Sequence, residues 1–443
     1  MRHRRIGYIA LLLLFVIATL IAFLRNPLAL SDPTMFTEDG SWSAMLYTHG
    51  PLVTYLEARS DYLVVANIAL LHLATAISEV IGTGLIGTPP VIAVLSYLFY
   101  GAVATFAAVA LRDHLPLWAR TMIVILIAAV PVGHPQSAAE IWGRASNIGF
   151  AFAFIAPLAM IWRESAIEKG RRLMRFAAEG VIVLSCATNP IGIPLVFAYL
   201  GARLLRERSR ETWRRDLPLI VMIVVLSAFM AFGVHSTVRP QEEIAAERTW
   251  QGALLSGVAR PLLYPFVFPV YNNLNNAWAI GLAAVLFSVL AYALALARQK
   301  AAFAFFLSCM LLVTVAIAIQ RPLLPTQMGG YTGTYPDRYF YAQNVMVIAA
   351  VVWALAIIRE RFREHLWSAG PPIAFTLLFA FNLPTIFIST QVTCAPAGTD
   401  FGDQVTAALV IESRPEVVSV EICPPTWFIE FPASEVPGRS ESK

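Results

Sequence analysis

Arg2-His3-Arg4-Arg5 is followed by IGYIALLLLFVIATLIAFL, residues 6–24, and the run closes on Arg25-Asn26-Pro27. As a helix at ~1.5 Å per residue, such a run matches the ~30 Å hydrocarbon core of a bilayer. A secretory signal has a shorter apolar core and a small-residue cleavage site, and neither is present. The run therefore reads as a retained anchor. The basic residues ahead of it hold the N-terminus on the cytoplasmic side.

The rest of the chain makes the same choice of solvent. Of 443 residues, 58% are hydrophobic and only 14% charged, and the mean hydropathy is +0.66. Soluble proteins carry about 25% charged residues. An ordinary cytoplasmic enzyme and a nucleic-acid-binding domain are excluded. Further apolar stretches lie at 85–111, 118–132, 148–162, 178–204, 217–235, 277–297, 301–319, 342–358 and 372–388. Stretch 178–204 is interrupted by Asn189-Pro190 and Pro194 and has arginine clusters at both ends. It reads as two short helices turning at the break, with both outer ends cytoplasmic. Residues 62–81 carry Asn67, His72 and Glu79 and read as an amphipathic or partly inserted helix on the outer side.

The expected fold is an all-α polytopic membrane protein with about eleven spans, N-terminus in and C-terminus out. The charges agree with it. Inner segments hold 21 of the 32 Lys and Arg, while the much longer outer segments hold 11. The acidic residues are opposite, with 9 on the inner side and 19 on the outer. A net charge of +4 thus hides a basic inner rim and an acidic outer face. A transmembrane domain spans 1–388, with outer loops at 25–84, 133–147, 236–276 and 320–341, and 389–443 forms an extracytoplasmic tail. Cys186 and Cys309 fall within spans as apolar packing. Cys394 and Cys423 fall in the outer tail, where a disulfide between them is allowed.

The polar chemistry is concentrated outside. The first outer loop reads Ser31-Asp32-Pro33-Thr34-Met35-Phe36-Thr37-Glu38-Asp39-Gly40-Ser41-Trp42. Adjacent carboxylates beside a bilayer are costly unless they are solvated or used. Gly40 permits a sharp turn that directs a carboxylate into a pocket. The pair equally suits the N-terminus of a helix beginning there.

In a wider frame, the sequence resembles polytopic membrane glycosyltransferases of the GT-C fold, which take a sugar from a polyprenyl-phosphate carrier. The resemblance rests on a cytoplasmic N-terminus and one span, then a long outer loop opening with Glu38-Asp39. An interfacial helical stretch from Trp42 to Arg59 follows, then Ser60-Asp61-Tyr62, many spans and the Asn189-Pro190 hairpin. It implies a carboxylate acting as general base on an acceptor hydroxyl, Asp39 first and Glu38 second. It also implies a polyprenyl-phosphate-linked sugar donor, a glycan or lipid acceptor, and a bacterial inner membrane with its active face in the periplasm. No cofactor is required, although a divalent cation (Mg or Mn) at Glu38 and Asp39 is compatible.

Such a reaction needs cations at the outer surface to hold phosphate. Arg338, in Tyr335-Pro336-Asp337-Arg338-Tyr339-Phe340-Tyr341, follows the glycine-rich 329–333. Its guanidinium suits bidentate phosphate binding, with Tyr339 beside sugar or lipid; an interfacial aromatic belt explains the same residues. Arg144 is a second phosphate candidate. It lies in the outer loop with Glu140, Trp142 and Asn147, and Glu140, Asn147 and Trp42 are candidate sugar or lipid contacts. A capped helix hairpin accounts for that loop equally well. Loop 236–276 reads mainly as a solvated interfacial helix. His49, His134 and His235 have no metal-ligand spacing, so no metal site is expected from them. The absence of a GxxxxGK[ST] loop excludes a single-chain ATP-driven pump. A transporter or flippase of lipid-linked sugar, and a polysaccharide polymerase or ligase, remain as alternatives.

Overall fold

The computed structural model describes residues 2–59, 62–132, 140–233, 260–267, 274–298, 300–320, 336–365, 417–422 and 427–432, with scattered positions between them. Helix α1 (Arg2–Arg25) is followed by the shorter helices α2 (Leu28–Ser31), α3 (Thr37–Thr48), α4 (Gly50–Glu57) and α5 (Val65–Val80). Then come α6 (Thr88–Ala110), α7 (Leu117–Ala128), α8 (Phe152–Glu168), α9 (Arg172–Thr188), α10 (Gly192–Arg206) and α11 (Arg210–Gly233). The helical part closes with α12 (Arg260–Val267), α13 (Asn276–Leu296), α14 (Lys300–Gln320) and α15 (Tyr341–Arg361). Among the described residues, six helical segments are long and apolar enough to cross a membrane: Gly7–Arg25, Gly84–Ala110, Ile148–Glu168, Asn276–Leu296, Lys300–Ala318 and Arg338–Arg361.

The other expected spans fare differently. Helix α7 has 12 residues, less than the ~20 that a span needs. Helix α11 covers the described part of 217–235, and most of 372–388 lies outside the described residues. Stretch 178–204 is two helices of 17 and 15 residues, α9 and α10, meeting at Asn189-Pro190-Ile191. The break is held by side chains. Asn189 Oδ1 accepts from Ile191 N at 3.1 Å, and its Nδ2 donates to the Gly149 carbonyl at 3.0 Å. Residues 62–81 form the 16-residue α5, with Asn67, Leu71, Ala74 and Ser78 buried along one face.

The bundle is built around α15, whose span is 89% buried, whereas the span of α1 is 17% buried. Helix α15 is therefore the axis, and α1 turns most of its surface outward. Close packing between α1 and α6 relies on small residues, as membrane helices do. Ala18, Ala22, Ala93, Ala104 and Ala107 are all buried in that core.

One end of the bundle carries a buried ionic lattice. Asp216 of α11 takes Arg163 Nη2 on one carboxylate oxygen and Arg203 Nε on the other, both at 2.7 Å. Arg163 also donates to Glu179 and to Tyr199, and Arg203 pairs with Glu164. Four helices, α8 to α11, are tied together, and Arg163, Arg203 and Asp216 at the centre of the lattice are buried.

At the other end lies a second, smaller core. Among the described residues the fold is all-α but for one hairpin here, β1 (Val417–Ile422) paired antiparallel with β2 (Trp427–Pro432). Its alternating side chains place Val418, Val420, Ile422, Ile429 and Phe431 inward. They pack with Met35, Trp42, Leu46, Ile68 and Leu71. The described part of the tail thus shares a core with the first outer loop. Cys394 and Cys423 lie outside the described residues, while Cys186 and Cys309 are buried free thiols.

Gly40 has a different role from the turn expected of it. It is helical within α3, and the space its side chain would fill is taken by the hairpin. A Cβ there would stand 2.5 Å from Ile422 Cδ1 and 3.2 Å from Ile429 Cγ2. An ordinary Gly→Ala change inside a helix gains up to ~1 kcal/mol. Gly40→Ala is expected instead to lose about 1–2 kcal/mol through overpacking. Thermal unfolding of Gly40→Ala, Ile422→Val and the double variant checks this, the double recovering part of the loss.

Candidate functional site

The site begins with a strained residue. Phe36 is extended and offers no side-chain cap, and Thr37 then opens α3 with φ +39°. A β-branched residue in the left-handed region costs about 1–2 kcal/mol. Strain of this kind persists only where the surroundings over-determine it. Glu38 and Asp39 occupy the first turn of α3, where carboxylates favour the helix dipole. They diverge from there. Glu38 is half-buried and lines a cavity, whereas Asp39 is 1% exposed and turns into the protein.

Asp39 holds a backbone. Its Oδ2 accepts from Ala145 N at 3.0 Å and its Oδ1 from Ser146 N at 2.5 Å. Asn67 of α5 completes the hold, its Nδ2 donating to the carbonyls of Ala145 and Ser146, both at 2.7 Å. A carboxylate offers only acceptors and an amide NH2 only donors. Together they satisfy both N–H and both C=O groups of two consecutive residues. The loop just before is held in the same way. Ser96 Oγ donates to the Arg144 carbonyl and accepts from Gly143 N, and Asn26 Nδ2 donates to the Trp142 carbonyl. The Arg25 guanidinium lies 3.6 Å over the Trp142 ring.

This scaffold presents a cavity of about 260 Å³. Thr37, Glu38 and Trp42 enter from α3, and Arg59, Tyr62, Val64 and Asn67 from the α4–α5 connection and α5. Ser146, Asn147, Gly149 and Phe150 come from the approach to α8, Thr188 and Asn189 from the α9–α10 break, and Arg338 and Tyr339 from the 3₁₀ turn Pro336–Phe340. All these segments lie on the side that the basic-residue distribution assigns to the outside. The cavity therefore holds one carboxylate, two guanidinium groups, four aromatic rings and three side-chain amides. Trp42 presents its ring with Nε1 committed to the Ala58 carbonyl at 2.9 Å. Tyr339 packs edge-on against Phe150 at 5.0 Å.

Of the residues singled out by sequence, Glu38, Trp42, Asn147, Arg338 and Tyr339 line the cavity, while Asp39, Arg144 and Glu140 do not. Arg144 is buried. Its Nη1 donates to the Thr34 carbonyl at 2.8 Å, and its guanidinium stands 4.8 Å from the Phe36 ring centre. Burial lowers its pKa, with the Asp39 charge acting against the shift. Glu140 forms an ion pair with Arg338, and its carbonyl accepts from Asn147 Nδ2 at 2.7 Å. Glu140 thus orients cavity residues without facing the cavity.

A divalent ion at Glu38 and Asp39 does not suit this donor set. Both Asp39 oxygens are committed to amides, and among the described residues no cluster of three or more metal-ligating side chains exists. Sequence reading gives no site role to Asn67, Ser146, Gly149 and Thr188. The one available signal was Asn67, a polar residue on an apolar helix.

Neither a scan against protein-family models nor a search of curated proteins returns a match to this chain. The chemistry of the cavity therefore has to carry the functional reading.

Asp39 has a pH signature. Burial pushes its pKa up to about 6, against the opposing pull of the Ala145 and Ser146 amides and of Arg144. An unfolded aspartate titrates near ~3.9. The folded state therefore holds the proton more tightly, and the stability this contributes is complete below pH ~4 and lost as pH rises through about 6. Above that the contribution is flat. Thermal melts in mild detergent from pH 4 to 7 are expected to show a decline in wild type relative to Asp39→Asn across that window. The variant's Ala145 and Ser146 amides should also exchange hydrogen faster, because asparagine cannot accept both bonds.

Proposed function

We propose that this membrane protein is a glycosyltransferase that moves a sugar from a polyprenyl-phosphate carrier to a glycan or lipid acceptor at the outer face of a bacterial inner membrane. The observation that carries the reading is one cavity shared by the Glu38 carboxylate and the Arg59 and Arg338 guanidinium groups, walled by aromatic rings and amides. Such a wall suits a sugar, because ring faces pack on its C–H surface and amides bond its hydroxyls. The GT-C-like order of elements supports the reading independently.

The base role goes to Glu38 rather than Asp39, because Asp39 spends both oxygens on the 145–146 backbone. A Glu38 oxygen takes the proton of the acceptor hydroxyl as that oxygen attacks the anomeric carbon. The bond from the anomeric carbon to the phosphate oxygen breaks, and the electron pair leaves with the polyprenyl phosphate. Arg338 and Arg59 stabilise that departing charge, which is greater in the transition state than in the donor. Arg338 has the donors to keep Glu140 on one side and receive phosphate on another.

Glu38→Gln removes the base with little change of shape. General-base loss typically costs 10²–10⁴-fold, and that reduction in transfer is expected with protein level and melting temperature unchanged. The assay follows radiolabel from a panel of polyprenyl-phosphate hexoses and pentoses into membrane acceptors. Full transfer by Glu38→Gln would remove the base assignment. Movement of labelled lipid across liposomes by the purified protein, without transfer, would favour the flippase.

A further inference from the structure

Two buried polar atoms in residues that line the cavity make no hydrogen bond, Asn67 Oδ1 and Ser146 Oγ. Leaving such a group unmade costs about 1–3 kcal/mol, and the fold keeps two of them on residues that lie 79 positions apart in the chain and touch through the Asn67 Nδ2 bond to the Ser146 carbonyl. Asn67 is fully buried, and its orientation is forced. Rotating the amide would set Oδ1 against the Ala145 and Ser146 carbonyls that its NH2 now serves. The clamp that positions the loop thus fixes an acceptor that nothing among the described residues uses. Ser146 is held through its own backbone, so its hydroxyl alone is free to turn.

Gly149 keeps this wall thin. A Cβ at that position would lie 3.1 Å from Asn67 Oδ1 and 3.7 Å from Thr188 Cγ2. Any other side chain would be laid over the acceptor. The chemistry of the two atoms also restricts the occupant. An amide oxygen accepts only, so it repels phosphate or carboxylate oxygens and takes an O–H donor. The guanidinium groups of Arg59 and Arg338 belong to the anionic part of a ligand; this wall belongs to its hydroxyls.

We propose that Asn67, Ser146 and Gly149 form the hydroxyl-reading subsite of the cavity, in which a sugar hydroxyl donates to Asn67 Oδ1 while a second exchanges a hydrogen bond with Ser146 Oγ. The assignment of a sugar rests on the glycosyltransferase reading; the two atoms and their geometry do not. The subsite makes Asn67 and Ser146 determinants of which sugar is accepted.

The test uses the full chain in nanodiscs, with saturation-transfer NMR against glucose, galactose, mannose and ribose. Wild type is expected to contact at least one of them. Ser146→Ala and Gly149→Ala are each expected to weaken that contact by about tenfold, the equivalent of one hydrogen bond. Ser146→Ala should melt no lower than wild type, because its hydroxyl has no partner to lose. Equal contact in wild type and both variants, or none in wild type, overturns the subsite. A separate arm titrates farnesyl phosphate into wild type. If it fails to bind while sugar contact is present and sensitive to Ser146 and Gly149, the subsite stands and the lipid-phosphate donor falls.

Discussion

The cavity-bearing end of this protein depends on four hydrogen bonds to the backbone of two consecutive residues. Irregular backbone at the edge of a membrane is tolerable only if its N–H and C=O groups find partners inside the protein. Residues 145 and 146 find theirs in Asp39 and Asn67, which arrive from sites 106 and 78 positions away in the chain. Leaving a buried peptide N–H or C=O unpaired costs about 1–3 kcal/mol, so the pair decides where the loop lies. From there, Ser146, Asn147, Gly149 and Phe150 are placed on the cavity, and α3 is locked to α5 through the same residues. The strain at Thr37 is affordable because this anchor fixes the turn that follows it.

The two ends of the bundle are built on different principles. At one end, Asp216 joins Arg163 and Arg203 in a buried lattice. Pairs so buried gain little net stability, since desolvation offsets their attraction, yet breaking one leaves a stranded charge. They specify one arrangement of α8 to α11. At the other end, charged side chains share a cavity and a small apolar core backs them. The paired helices α9 and α10 connect the two, with the ionic lattice among their distal turns and Asn189 at their tip in the cavity wall. A rigid base and a polar tip on the same hairpin suit a site whose geometry has to be held from beneath.

What the sequence disclosed, and what it withheld, follows from the range of the forces involved. Apolar length is a local property, so α1, α6, α13, α14 and α15 are legible as runs. The Asn189-Pro190 break is legible because proline removes a donor from the helix. Arg338 stands out because cationic residues are scarce in the expected outer loops, and Trp42 and Tyr339 because they lie beside charged residues there. Arg144 and Arg338 look alike in that respect. Only the fold separates them, giving one a carbonyl and a phenyl ring and the other a cavity. Asn67, Ser146 and Gly149 have ordinary sequence surroundings, and their meaning lies in bonds to distant backbone. The hairpin's alternation over 417–422 is readable, but its seat on Gly40 is not, since that contact joins the ends of the chain.

The Glu38-Asp39 pair shows why two adjacent acids at a helix start need not share a task. Successive residues on a helix point about 100° apart, so neighbours can be turned to different surroundings, and here Glu38 lines the cavity while Asp39 does not. The fold has to choose which faces in. Here the shorter side chain is directed to the scaffold, where a carboxylate close to its own backbone is well suited to gripping two amides at fixed spacing. The longer one reaches the cavity, and in the proposed function its extra length would let a proton acceptor follow a moving hydroxyl. Exchanging the two would place a flexible group where rigidity is needed and a short group where reach is needed. Under the proposed glycosyltransferase function, that division assigns structure to Asp39 and the base role to Glu38.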